Sequence, residues 1–192
     1  MKLLKIWRSL LLGLATLGFG GCSVDGPTAP RLSADPSAGL LSSLEGSLVS
    51  KDALVRNTTL ANDITVTADI GTEGGTLAIP AAGFQLIVPP GAVVSRTVFT
   101  VTALSGNLVA YEFGPHRLKF RVPLRATQDL SNTRWRPLSL KPLVAGYFLE
   151  RSDLDQTSAT ALVSEVIEGV TIPLSKQFKW RIDHFSGYVV AW

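Results

Sequence analysis

Two residue types that can do chemistry together lie close to one another near the end of the chain. The sequence there reads His184, Phe185, Ser186 and then Gly187. A histidine can accept the proton of a serine hydroxyl, and the serine oxygen can then attack a neighbouring carbonyl carbon. The alternative is structural, with the histidine bonded where a strand begins and Phe185 filling the core. We favour the structural interpretation, because Gly187 would relax the backbone strain that such an attack requires.

A second candidate site is a stretch in which basic and apolar residues alternate. Its basic residues are Arg117, Lys119, Arg121 and Arg125, and its apolar ones are Leu118, Phe120, Val122 and Leu124. Successive side chains of a β-strand point to opposite faces, so the pattern predicts one cationic face and one apolar face. Two interpretations stay open. The cations either protect a sheet edge against aggregation or contact an anionic envelope polymer, lipid headgroup or acidic protein surface.

Motifs for other kinds of chemistry are missing from the sequence. The chain has only two histidines, His116 and His184, and one cysteine, Cys22, without the spacing of metal ligands. It has no glycine-rich phosphate loop followed by lysine, no G-x-S-x-G motif and no paired-carboxylate motif. We therefore expect no metal and no cofactor, and we expect a protein that is not an enzyme.

The first residues have the order of a bacterial lipoprotein signal. Lys2, Lys5 and Arg8 precede an apolar run at residues 10–19, and two glycines lead into Cys22. An apolar run of about ten residues is too short to span a bilayer core, which needs about 20. We predict a signal peptide over residues 1–21 and a membrane anchor on acylated Cys22. Ser23, rather than aspartate, follows the cysteine and favours the outer membrane of the bacterial envelope.

The charge of the mature chain argues against nucleic acid as a partner. The full sequence has 18 basic and 15 acidic residues. Removal of Lys2, Lys5 and Arg8 with the signal peptide leaves equal numbers of the two. A formally neutral chain has no overall positive field to attract nucleic acid.

The remainder divides into a tether and one domain. Residues 22–61 are predicted to hold the lipidated cysteine, a tether rich in proline, serine and alanine, and a short apolar segment. Its leucines have helical spacing, and the segment is either a short helix or a docking segment. From residue 62 to residue 192 the apolar period changes to two, with about ten short strands separated by turn residues. This pattern predicts an all-β protein with a single antiparallel β-sandwich domain.

The most distinctive stretch of that domain covers residues 70–94. Gly71, Gly74 and Gly75 open a predicted hairpin and are expected to supply backbone angles of positive φ. The second strand of the hairpin is stopped by a corner at Pro89 and Pro90. This stretch, together with residues 184–188, resembles the ZU-five domain, an interaction module of ankyrins and netrin receptors. The resemblance is specific at residues 71–92 and 184–188, and it is loose over the rest of residues 62–192.

The resemblance implies an interaction module, and it also implies a rival function. Some ZU-five proteins cut themselves between the phenylalanine and the serine of a His-Phe-Ser sequence, which here would be Phe185 and Ser186. The leading hypothesis is a non-enzymatic, lipid-anchored interaction module of the cell envelope. The alternatives are a self-cleaving domain and a structural accessory domain of an envelope assembly.

Overall fold

The computed structural model describes residues 47–192. The predicted signal peptide, Cys22 and the tether as far as residue 46 lie outside the described residues. Within residues 47–192 the chain forms fifteen β-strands and two 3-10 helices, and it contains no α-helix. The all-β class predicted from the period-two patterns is confirmed.

In chain order, the strands are β1 (Val49–Asp52), β2 (Val55–Leu60), β3 (Ile64–Ile70), β4 (Gly75–Ile79), β5 (Phe84–Val88), β6 (Thr97–Ala103), β7 (Gly106–Leu108), β8 (Ala110–Gly114), β9 (Lys119–Asp129), β10 (Val144–Phe148), β11 (Leu154–Asp155), β12 (Thr160–Val163), β13 (Glu165–Ile172), β14 (Gln177–His184) and β15 (Gly187–Ala191). The 3-10 helices are Pro80–Ala82 and Arg151–Asp153.

Ten of the strands form one antiparallel sheet that folds over on itself. Their order is β3-β6-β8-β15-β10-β13-β14-β9-β5-β4. The fold occurs at β13, since residues 165–168 pair with β10 whereas residues 169–172 pair with β14. The short turn between β3 and β4 brings the two ends of the sheet close together. The result is the predicted antiparallel sandwich, nearly closed into a barrel.

Strand β15 is buried along its whole length because both of its faces are covered. On one face, Tyr188 and Val190 belong to the main core between the two halves of the large sheet. On the other face, Val189 packs in a second cluster with Val55 and Val163. These two residues come from small sheets, β2-β7 and β1-β12-β11, that lie over the large one. The end of the chain is thus the most enclosed part of the domain, which favours a structural role for it.

The hairpin predicted between residues 70 and 94 is present, with one correction. Strands β4 and β5 pair from Gly75 opposite Val88 to Ile79 opposite Phe84. The three opening glycines were expected to supply backbone angles of positive φ, but only Gly74 has one, at +78°. A Cβ atom there would collide with the carbonyl oxygen of Val88, so the close approach of the strand also requires glycine.

The β-structure begins earlier than residue 62, the predicted start of the domain. Strands β1 and β2 occupy part of the segment that was predicted to be a short helix or a docking segment, and the helix is wrong for residues 49–60. Leu54 is fully buried, and its backbone bonds Val190 and Val109 on either side. The segment is held by β15 and the loop before β8, which lie far away in sequence, so local periodicity did not reveal it.

Candidate functional site

The His184-Phe185-Ser186 sequence forms the crossing between the two halves of the sandwich. His184 ends β14, opposite Lys119 of β9, and the next strand, β15, lies in the other half. Only Phe185 and Ser186 separate the two strands. The Phe185 ring is 1% exposed and packs against Phe120 at 4.8 Å and Phe113 at 5.4 Å between ring centroids. The position of this ring in the core fixes the path of the crossing.

Hydrogen bonds hold the backbone of the crossing in place. Phe185 donates its N–H to Leu118 at 2.9 Å, and its carbonyl accepts the N–H of Arg117 at 3.1 Å. The Tyr188 hydroxyl donates to the carbonyl of His184 at 2.8 Å. Burial, followed by the charge of Glu165, raises the pKa of Tyr188, so this hydroxyl keeps its proton. A tyrosine that bonds backbone a few residues upstream is a known device of β-sandwiches for fixing a corner.

The structure does not bring the predicted base and nucleophile together. Among the described residues, the carboxylate next to the His184 ring is that of Glu165, with 3.6 Å between Nε2 and Oε2, and no hydrogen bond joins His184 to Ser186. The ring also meets the Tyr147 ring edge-on at 5.4 Å. No residue between His184 and Gly187 has a positive φ angle. The strain and the contact that attack on Phe185 would require are both missing from this conformation.

Position 187 requires glycine for a different reason from the one that the sequence suggested. Its backbone does not occupy the left-handed region, so it is not needed to relax a turn. A Cβ atom at this position would collide with the ring of Phe148 on the neighbouring strand β10. Gly187 is therefore required by packing in the enclosed end of the sheet.

The predicted cationic stretch does not form one continuous stripe. Arg117 precedes β9 and has a φ angle of +64°, so it lies in a turn. Lys119, Arg121 and Arg125 lie on β9 and are exposed, but a bulge interrupts the alternation between Arg121 and Arg125. Residues 120–123 lie opposite the single residue Asp183 of β14. The bulge separates Arg125 from the other cations of the stretch.

Arg125 lies in the interior of the sheet rather than at an edge. It pairs with Ile87 of β5 on one side and with Arg181 of β14 on the other. The edge-protection interpretation therefore does not apply to Arg125. Lys119 is paired only with β14, and Arg121 has a single bond to Ala92 on its other side, so that interpretation stays open for these two residues.

Arg125 belongs instead to a cluster that the sequence analysis missed. Arg181 lies directly opposite it, and Lys179 lies two residues before Arg181 on the same face of β14. We call Arg125, Lys179 and Arg181 the basic cluster. The alternation of Lys179, buried Trp180 and Arg181 signals an exposed cationic face, but only the strand pairing shows that Arg125 shares that face.

The basic cluster borders a shallow groove of about 560 Å³ on the outside of the sheet. The lining also includes Ile87, Val170 and Glu168. Ile87 is 37% exposed and Val170 is 64% exposed, so the groove presents apolar surface beside the cations. Among the described residues, no carboxylate lies within 4.0 Å of a basic cluster nitrogen. The arrangement can bind an anion that also has an apolar surface.

Neither a metal-ligand group nor a membrane-spanning helix occurs in the described part of the chain. Over residues 47–192, His, Cys, Asp and Glu side chains form no group of three that could hold a metal ion. No helix within the same residues has the length and hydropathy to cross a membrane. A further opening of about 620 Å³ is bordered by Arg134, Arg136, Leu138 and Trp192.

Comparison with known proteins adds no relative. No protein-family model matches the chain, and no curated protein is significantly similar to it. Function must therefore be argued from the basic cluster, the crossing at Phe185 and the sequence of the first 22 residues.

Proposed function

We propose that the protein is a non-enzymatic interaction module of the bacterial cell envelope, anchored by acylated Cys22. The observation that carries the proposal is the basic cluster, three exposed cations on a paired sheet that have no acidic partner within residues 47–192. A rigid sheet holds such cations at fixed spacing and loses little entropy when a partner binds. The hairpin with its proline corner supports a ZU-five-like module.

The anchor rests on the sequence of the first 22 residues. In a lipoprotein signal, basic residues come first, followed by an apolar run and then small residues before the cysteine. The sequence before Cys22 has this order. The 26 residues between Cys22 and Val49 span at most about 90 Å when fully extended. Such a tether allows the domain to reach partners well away from the bilayer, with the outer membrane favoured by Ser23.

Fractionation of bacterial envelopes tests the anchor. The wild-type chain should sediment with membranes, and Cys22→Ser should move to the soluble extracytoplasmic fraction. The matched control is Ser23→Ala, which keeps the acylated cysteine and should remain in the membrane pellet. Membrane association of Cys22→Ser equal to that of the wild type would contradict the anchor.

Self-cleavage at Phe185 is a second candidate, favoured by one observation. Attack on the Phe185 carbonyl would place negative charge on its oxygen, and the Arg117 N–H already donates to that oxygen. His184 would have to leave Glu165 to act as the base for Ser186. This candidate requires a product that lacks residues 186–192 in the wild type. The product should be absent from Ser186→Ala and partly restored in Ser186→Cys.

A further inference from the structure

The basic cluster contains a like-charge pair that the fold itself does not balance. Arg125 and Arg181 are directly opposite partners on adjacent antiparallel strands, where side chains lie closest together. Like charges at such positions destabilise a sheet. This arginine pair lowers the stability of the sheet and has no acidic partner among the described residues. We therefore expect its anionic partner to be another molecule.

Two exposed arginines, Arg151 and Arg96, show what a balanced arrangement looks like. Arg151 bonds both oxygens of Glu112, at 2.7 and 2.6 Å, and also Asp63 at 2.8 Å. Arg96 reaches Glu73 at 3.1 Å. The basic cluster is different, since Glu168 lines the same groove yet lies beyond 4.0 Å from its nitrogens. The two arginines therefore keep their bidentate donor edges available.

The shape of the surface limits the kind of partner. The cations border a groove, and a flat bilayer surface cannot follow a concave floor. A single extended chain can lie in it. The apolar side chains of Ile87 and Val170 flank the cations, since Ile87 lies on β5 next to Arg125 and Val170 lies on β13 next to Lys179. A suitable partner is therefore thin, anionic at repeated positions and apolar on its flat faces.

We propose that this groove binds an acidic polysaccharide. Carboxylates on successive sugars would pair with Arg125, Arg181 and Lys179, and the apolar faces of the rings would lie on Ile87 and Val170. Adjacent strands are about 5 Å apart, and Lys179 lies about 7 Å along β14 from Arg181, so the three cations are close enough to pair with neighbouring charges of one chain. The inference rests on the proposed interaction function and names its site and its class of partner.

The test uses the purified full chain bearing Cys22→Ser, which cannot be acylated. The probe is polygalacturonate, with neutral dextran and vesicles of anionic phospholipid as comparisons. Polygalacturonate should bind, with an affinity that falls as salt rises, whereas dextran and vesicles should not. The double variant Arg125→Gln, Arg181→Gln should lose about tenfold or more in affinity. The matched control Arg134→Gln, Arg136→Gln, at the other opening, should bind as the parent does.

A thermal melt shows whether the double variant Arg125→Gln, Arg181→Gln is still folded. The double variant should melt at the same temperature as the parent or higher, because it removes a like-charge pair from an exposed face. The inference is overturned if polygalacturonate fails to bind at low salt, if both double variants weaken binding equally, or if the vesicles bind instead. Binding of crude envelope extract without binding of polygalacturonate would reject the polysaccharide and leave the interaction function standing. Binding of neither would reject both.

Discussion

At the scale of single residues, Arg56 stands out because its charge is buried without full pairing. Its side chain is 4% exposed, and its Nη1 donates to the carbonyl of Leu108. Its Nε and Nη2 atoms are buried and make no hydrogen bond within the described residues. The guanidinium lies 5.6 Å from the centre of the Tyr111 ring, a contact that returns part of the desolvation cost.

We expect Arg56→Met to leave the free energy of unfolding unchanged or to raise it by up to about 4 kcal/mol. A methionine of similar length fills the space and removes a buried charge that is only partly paired. The contrasting variant is Tyr111→Phe, which removes the hydroxyl bonded to Gln128 and Ala82 and should cost about 1 to 3 kcal/mol. Urea denaturation measures both. A loss of more than 1 kcal/mol in Arg56→Met would show that this arginine stabilises the fold.

At the scale of elements, the corner after β5 depends on one backbone conformation. Gly91 has a φ angle of +76°, and its N–H bonds the carbonyl of Thr72 at 2.8 Å. A Cβ atom there would meet no other atom within 4 Å, so sterics between side chains do not require glycine. Glycine is required at this position only because the backbone is left-handed.

Gly91→Val should therefore cost about 1 to 3 kcal/mol of unfolding free energy, because a β-branched residue is strained at positive φ. Gly91→Asn is the control, since asparagine tolerates this region and should cost clearly less. Thermal melts of the two variants check the difference. Equal stability of both would show that the corner can change its backbone angles.

The sequence predicted those elements whose signals are local. The β4-β5 hairpin follows from alternation bounded by glycines and Pro89, and all three lie within a few residues of one another. Strand β2 was missed because one of its buried residues is Arg56, which reads as exposed. The basic cluster was missed because Arg125 and Arg181 meet only through strand pairing. Register between distant strands is set by the whole sheet, and no local pattern contains it.

At the scale of the whole molecule, one ion network joins distant parts of the chain. Arg151, in the second 3-10 helix, bonds Glu112 of β8 and Asp63 of the loop before β3. The backbone N–H of Ser105 first, and then the Arg151 side chain, hold the pKa of Asp63 below its usual 3.8. The network links the loop before the edge strand β3 to β8, the third strand of the large sheet.

This network predicts part of the acid sensitivity of the fold. Asp63 binds protons less readily in the folded than in the unfolded chain. The ionised Asp63 carboxylate therefore stabilises the fold fully above the unfolded-state pKa of 3.8. This stabilisation is lost as pH falls through the lower pKa that Asp63 has in the folded chain. Asp63→Asn should lose about 1 kcal/mol or less at pH 7, because the pair is partly exposed. Urea midpoints from pH 7 to about pH 2.5 should converge for the two proteins at the acid end. A constant difference at all pH values would contradict this role.

The claim of an anchored, uncut interaction module is tested most directly by the intact mass of the protein extracted from bacterial envelopes under denaturing conditions. The account predicts one species that begins at Cys22, carries the added mass of acyl chains and extends to Trp192. A chain without lipid, or one that begins elsewhere, would contradict the anchor. A species lighter by residues 186–192 would contradict the non-enzymatic assignment and would make His184 the base and Ser186 the nucleophile of a self-cleaving domain.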